Sequence, residues 1–150
     1  MKFLKRMLIP FLFLFLTACT SVSYLESAVT ETENVTYEEW YSTKEEVAEY
    51  IYLYEELPPN YLTKKEAREL GWDNAKGNLW EVAEGMSIGG DYFGNREGIL
   101  PDEQGRDYYE ADINYEGGYR NAERIVFSND GLIYYTADHY ESFEQLYGEE

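Results

Sequence analysis

Cysteine occurs once in these 150 residues, at Cys19, so no disulfide can form within the chain and its stability must come from a packed core. Positive charge is also scarce. Twelve Lys and Arg face thirty Asp and Glu, the formal net charge is -18, and no cation falls between Arg6 and Lys44. Phosphate contacts draw on Lys and Arg, so this balance argues against a general nucleic-acid binder, and any case for one must rest on individual residues. The apolar run Met7 to Leu16 is too short to cross a bilayer as a helix. No internal repeat is visible. What the chain does have is apolar and aromatic weight: 44% hydrophobic residues, 17% aromatic, sixteen tyrosines. That composition is far from a disordered chain, and the length allows one ordinary domain but not two.

The opening MKFLKRMLIPFLFLFLTAC has the layout of an export signal, with Lys2, Lys5 and Arg6 ahead of the apolar run. Its end, LTAC, resembles a bacterial lipoprotein box, in which the leader is cut before Cys19 and the Cys19 thiol is acylated. The plainer reading is ordinary cleavage with Cys19 as an incidental thiol. Lipid contributes about 0.8 kcal/mol per buried CH2, so more than one chain gives lasting attachment. Residues 1–18 are then a lipoprotein signal peptide and residues 19–41, rich in Ser, Thr and Glu, an acidic, self-repelling, flexible tether. Residues 42–150 form the folded domain, held on the outer face of the cytoplasmic membrane through Cys19, or secreted.

Within that domain, TKEEVAEYIYLYEEL (Thr43 to Leu57) places Val47, Ile51 and Tyr54 on one helical face, with Thr43 as N-cap and Pro58 and Pro59 as the stop. Thr63 and Glu66 form a capping-box pattern for a second helix, which ends at Gly71. Trp72 follows as a core anchor, and a helical turn is expected from Asn78 through Ala83, closed by Gly85. Beyond it the chain turns to short β-prone runs, MSIGGDYF, DYYEADINY, ERIVFS, LIYYTA and ESFEQL, with Asn129-Asp130-Gly131 marking a hairpin. Helices followed by an antiparallel sheet predict an α+β domain with the helices on one face of the sheet.

Four features of this domain bear on chemistry, each weak alone. His139 is the only histidine, and a lone histidine is usually structural or merely exposed. Alternation puts Glu110, Asp112 and Asn114 on one face of a strand and Ala111 and Ile113 on the other, where a polar face is usually just solvated. Arg120 and Arg124 flank Asn121, and their bland role is charge balance. Lys64 falls in a first helical turn, unfavourable to the macrodipole unless an anion sits beside it.

Together these residues resemble something specific. The strings NYLTKKEARELGW, KGNLWEVAEGMSIGGDYFGNREGILP, GRDYYEADINYEGGYRNAERI and LIYYTADHYESF, between Asn60 and Phe143, are similar to barnase and its relatives, the guanine-preferring bacterial extracellular ribonucleases. The resemblance implies the microbial ribonuclease fold, with N-terminal helices packed on a C-terminal antiparallel sheet. It also implies that Glu110 is the general base and His139 the general acid, with Arg120, Arg124 and Lys64 as the cations around the scissile phosphate and Tyr140 lining the same site. Phe93, Gly94, Asn95, Arg96 and Glu97 would form the guanine-recognition loop, the Glu97 carboxylate accepting hydrogen bonds from the base. Asp91 and Asp112 would orient the cations.

RNA supplies its own nucleophile, the 2'-hydroxyl, so the resemblance implies acid–base cleavage of single-stranded RNA after guanosine to a 2',3'-cyclic phosphate, followed by hydrolysis, with no metal or cofactor. RNA is the implied partner, a barstar-like inhibitor protein a further one, and the protein would act as a monomer. The chain also departs from the pattern. Met86, Ile99, Glu103 and Tyr135 stand where barnase has lysines, Gly94 stands for a serine of the guanine loop and Gly131 for a tryptophan of the hairpin. Of the twelve Lys and Arg, Lys64, Arg96, Arg120 and Arg124 fall at implied site positions. The rival reading is a catalytically silent surface module that captures RNA or the inhibitor.

Overall fold

Helix formation begins where the sequence first offers a cap. In the computed structural model, which describes residues 34–149, the Thr43 hydroxyl accepts the Glu46 backbone N–H and opens helix α1 (Lys44–Tyr54). The leader, Cys19 and the tether up to residue 33 lie outside the described residues. Helix α1 stops before its expected end at Leu57. Glu55 takes a left-handed conformation (φ 58) and donates its N–H to the Ile51 carbonyl, so this cap, and not the two prolines, ends the helix. Helix α2 (Lys64–Glu69) has the full Thr63/Glu66 capping box. Gly71 follows it at φ 103, the left-handed position that terminates a helix most easily when there is no Cβ. Helix α3 (Leu79–Val82) is a single turn.

The strands are β1 (Tyr61–Leu62), β2 (Ser87–Phe93), β3 (Tyr108–Asp112), β4 (Arg124–Ser128), β5 (Ile133–Thr136) and β6 (Glu144–Tyr147). They form one sheet in sequence order, β1 parallel to β2 and every later pair antiparallel. Strand β1 was not legible beforehand, since two residues carry no periodicity. The hairpin between β4 and β5 turns at Asn129-Asp130-Gly131 as expected.

Register sorts the two faces. Tyr109 and Ala111 of β3 oppose Phe127 and Ile125 of β4, which in turn oppose Ile133 and Tyr135 of β5. This face packs under α1, where Val47, Ala48 and Ile51 close a buried cluster with Ile113, Ile125 and Ile133. Alternate residues point the other way: Tyr108, Glu110 and Asp112 beside Val126, Arg124, Tyr134 and Thr136. On that face Leu100, Tyr108, Val126, Leu132 and Tyr134 make a second cluster, with Phe93, Tyr140 and Phe143 against it. A third gathers Ala67, Leu79 and Tyr115 around Trp72 and Ile88, so Trp72 is the anchor expected of it. The architecture is the α+β arrangement of the microbial ribonuclease fold.

Two local expectations need correction. Asn114 does not continue the polar face of β3. It leaves the strand at φ 54, donates its backbone N–H to the Ser42 carbonyl and its side-chain amide to Glu123. Residues 34–41, assigned by composition to the tether, are anchored to the domain at points: Val35 is 3% exposed, Thr36 N–H donates to the Tyr41 hydroxyl, and the Tyr37 ring lies 5.1 Å from that of Tyr54. Aromatic residues among the acids supply the apolar surface that holds this stretch to α1.

Ile125 is fully buried between the sheet and α1. Truncating it, Ile125→Ala, is expected to cost about 2–5 kcal/mol in urea unfolding, and a loss below about 1 kcal/mol would contradict the assigned packing.

Candidate active site

The site is built on the sheet face turned away from α1. A β-bulge at Gly90 (φ 91) shifts the β2 register so that Asp91 comes opposite Glu110. A side chain at that φ would be strained, and the shift is what turns Asp91 toward the start of α2. There the Asp91 carboxylate accepts the Lys64 backbone N–H at 2.9 Å. Asp91 therefore anchors the lysine through its backbone, while the Lys64 ammonium reaches across to Glu110 Oε1 at 2.5 Å. The cation at this helix start thus has the neighbouring anions its position requires.

Glu110 is 7% exposed. Its second oxygen accepts a short hydrogen bond from the Tyr140 hydroxyl. Burial is the largest influence on its ionisation and favours the neutral acid. The hydrogen bonds from Lys64 and Tyr140, with the charges of Lys64 and Arg120, outweigh it and hold Glu110 below its ordinary pKa. Burial and the same carboxylate push the Tyr140 hydroxyl far above the usual tyrosine value, so it stays a donor.

Beside Glu110, Asp112 is 1% exposed and sits under two guanidinium groups. Arg120 grips it with both forks, Nε to Oδ2 at 2.7 Å and a terminal nitrogen to Oδ1 at 2.6 Å. Arg124, 2% exposed, brings Nε to 3.0 Å from Asp112 Oδ1 as an ion pair without hydrogen-bond alignment, and donates instead to the Glu123 carbonyl and Asn121. Asn121 also donates to the Ile113 and Asn114 carbonyls, tying the loop between β3 and β4 to the arginine.

His139 lies on the loop after β5 and is exposed. It and Tyr140 both have left-handed backbones, φ 57 and φ 76. The His139 N–H donates to the Ala122 carbonyl, and its ring stands 4.7 Å from the Tyr140 ring. Since the Tyr140 hydroxyl is on Glu110, one tyrosine spans the interval between the carboxylate and the imidazole. Arg120, Arg124 and His139 line a cleft of about 290 Å³ with Asn74, Tyr119 and Asn121.

On the other side of Glu110, the loop from Phe93 to Glu97 lines a cleft of about 460 Å³ together with Lys64, Tyr92 and Glu110. The Phe93 ring packs 5.0 Å from Tyr140. Arg96 and Glu97 are exposed at its mouth, with no hydrogen bond or ion pair to another described residue. The Asn95 side chain closes the loop on itself, donating to the Leu100 carbonyl and accepting the Leu100 N–H. Gly94 has no left-handed backbone, and a Cβ there would meet only Arg96 and Tyr92 at ordinary distances.

The expected site residues Lys64, Asp91, Phe93 to Glu97, Glu110, Asp112, Arg120, Arg124, His139 and Tyr140 thus gather on one face; Cys19 lies outside the described residues. Sequence reasoning missed Thr136 and Asp138, which hold the His139 loop. The signal was a local one: an aspartate followed three and four residues later by backbone donors. Among the described residues no His, Cys, Asp and Glu cluster is spaced to hold a metal.

A depressed Glu110 pKa adds stability that is complete above the unfolded carboxylate value, about 4.3, and is lost as pH falls through the folded one. Removing the ammonium in Lys64→Ala is expected to raise the Glu110 pKa and so move this acid loss to higher pH. Carboxyl NMR titration reads it directly, and an unmoved Glu110 titration would count against the pairing.

A profile of the ribonuclease family matches residues 44–147. A ribonuclease of Heyndrickxia coagulans is 56% identical over 105 residues, 70% of this chain and 96% of that protein. A ribonuclease of Bacillus intermedius is 56% identical over 105 residues, 65% of its own length. The guanyl-specific ribonuclease St of Saccharopolyspora erythraea is 47% identical over 55 residues, 36% of this chain and 54% of that protein. With the sheet, its polar face and this span of similarity in hand, the chain belongs to the ribonuclease family.

Proposed function

We propose that this ribonuclease is an endonuclease that cleaves single-stranded RNA after guanosine by transesterification, Glu110 taking the 2'-hydroxyl proton and His139 protonating the departing 5'-oxygen. The observation that supports the reading is the Tyr140 bridge, whose hydroxyl is on Glu110 and whose ring lies 4.7 Å from that of His139, with Arg120 near enough to feel the charge of Glu110 and lining a cleft with His139. A carboxylate held ionised by Lys64 is a ready proton acceptor, and guanidinium groups fixed by Asp112 meet developing phosphoryl charge with little reorganisation. Their planar forks suit phosphate oxygens better than an ammonium does. The second step, hydrolysis of the 2',3'-cyclic phosphate, uses the same pair with roles exchanged.

The cleft bounded by the Phe93 to Glu97 loop would take the base, the unengaged Glu97 carboxylate accepting from its N–H groups and Arg96 adding positive potential. The name of the relative from Saccharopolyspora erythraea, guanyl-specific, supports that preference. No step of this chemistry calls for a metal. The LTAC leader supports attachment by lipid on Cys19 to the outer face of the cytoplasmic membrane, and the protein would act there as a monomer on RNA, with a barstar-like inhibitor as its protein partner.

The mature chain, incubated with GpN and ApN dinucleotides, is expected to cleave the guanosine series at a rate unchanged by EDTA. Glu110→Ala and His139→Ala should each lose about 10²–10⁴-fold. Glu97→Ala should lose about 10–100-fold of the guanine preference, the worth of a charged hydrogen bond. Full GpN turnover in either Glu110→Ala or His139→Ala would defeat the acid–base assignment, and loss of rate in EDTA would defeat the metal-free one.

A further inference from the structure

On the reading that His139 is the general acid, we propose that Asp138 is its positioning residue: the carboxylate folds the following residues into a rigid loop that presents the imidazole to the departing 5'-oxygen. Nothing about the peptide itself favours this loop. His139 and Tyr140 are successive non-glycine residues with left-handed backbones, φ 57 and φ 76, a conformation that side chains of this size adopt only when the surroundings impose it.

The imposing contacts converge on Asp138. Its Oδ1 accepts from the Thr136 hydroxyl at 2.8 Å, the Glu141 N–H at 3.0 Å and the Ser142 N–H at 2.9 Å, and its Oδ2 accepts from the Ser142 hydroxyl at 2.5 Å. Thr136, 1% exposed at the end of β5, passes the constraint onward, because its hydroxyl oxygen accepts the Tyr140 N–H at 3.0 Å. The chain of contacts runs from Asp138 through Thr136 to Tyr140 and ends on Glu110. One exposed carboxylate therefore fixes where the acid stands relative to the base. Hydrogen bonds from Ser142 and Thr136 draw the Asp138 pKa down to about 2, so it remains a full acceptor at any pH at which an imidazole changes charge.

The role separates from general folding because protonation of the leaving oxygen is the chemical event that needs His139 in place. Breaking the P–O5' bond of a dinucleotide needs a proton on the leaving oxygen, which His139 supplies. An aryl ester, guanosine 3'-(4-nitrophenyl phosphate), expels a stable phenolate and needs none. The mature chain and its Asp138→Ala, Asp138→Asn, His139→Ala and double Asp138→Ala/His139→Ala variants are compared on GpU and on the aryl ester. Asp138→Ala is expected to lower kcat on GpU by about 10²-fold with KM within about twofold, and to leave aryl-ester turnover within about threefold. Asp138→Asn should recover most of the GpU rate, since the amide oxygen can take the place of Oδ1. The double variant should be no slower than His139→Ala alone.

Equal losses on both substrates, or a double variant slower than His139→Ala, would overturn the assignment of Asp138. Undiminished GpU turnover in His139→Ala would instead overturn the acid reading on which it rests. A second readout is independent of rate. The nuclear Overhauser contact between the His139 and Tyr140 rings should vanish in Asp138→Ala and persist in Asp138→Asn, and its survival in Asp138→Ala would also defeat the proposal. If Asp138→Ala does not fold, Asp138→Ser, with one acceptor left, takes its place, and wild-type GpU turnover together with an intact ring contact in it would count as defeat.

Discussion

A carboxylate lowered onto the apolar floor of a sheet stays ionised only if its neighbours supply what water no longer does. Glu110 stands beside Val126 in the register of β3 and β4, next to the cluster of Tyr108 and Tyr134. What compensates it arrives from two distant parts of the chain, an ammonium from the start of α2 and a hydroxyl from the loop after β5. Much of the fold serves to bring these two together. The capping box fixes where α2 begins, the bulge at Gly90 brings Asp91 under the first amide of that helix, and the left-handed turn at His139 and Tyr140 swings the phenol over β3. Shape on one side of the sheet is bought by α1, whose packing leaves the opposite face free for polar side chains.

The strong negative charge of the chain and its assignment to a family that handles RNA are reconciled locally. Lys64, Arg120 and Arg124 do not present a positive field. Each already faces a carboxylate, Glu110 or Asp112, at close range. What they offer a phosphate is direction, with donor groups fixed in place, more than net attraction. Long-range steering is correspondingly weak in so acidic a molecule, and association with a polyanion depends on contacts formed at short range.

What the sequence made legible was whatever rests on local stereochemistry or strong periodicity. Thr43 and Thr63 as caps, Gly71 as a stop, the Asn129 to Gly131 hairpin and the strand alternation through Glu110 and Asp112 are all decided by neighbours within a few residues. The end of α1 was misread because two prolines are a louder signal than a left-handed Glu55. Residues 34–41 were misread because acidic composition hid Val35, which is buried, and Tyr37, whose ring contact with Tyr54 depends on a helix that only the folded chain provides. Strand β1 exists by virtue of β2 and has no pattern of its own. The gathering of site residues followed from resemblance, since no spacing rule brings Lys64 to Glu110; the roles of Asn95 and Asp138 emerged only from hydrogen bonds, which residue identity does not specify.

The trio of Asp112, Arg120 and Arg124 has a consequence for how such a protein can change over generations. Losing the aspartate strands two guanidinium groups with little water to turn to, and losing either arginine leaves a buried anion short of its counter-charge; an isolated break of this kind typically costs about 3–5 kcal/mol. Most single steps away from the trio therefore cross a valley in fitness before any new arrangement can be tried, so a lineage inherits the three positions as a block. Drift is left to the exposed rim, at positions such as Ile99 and Glu103.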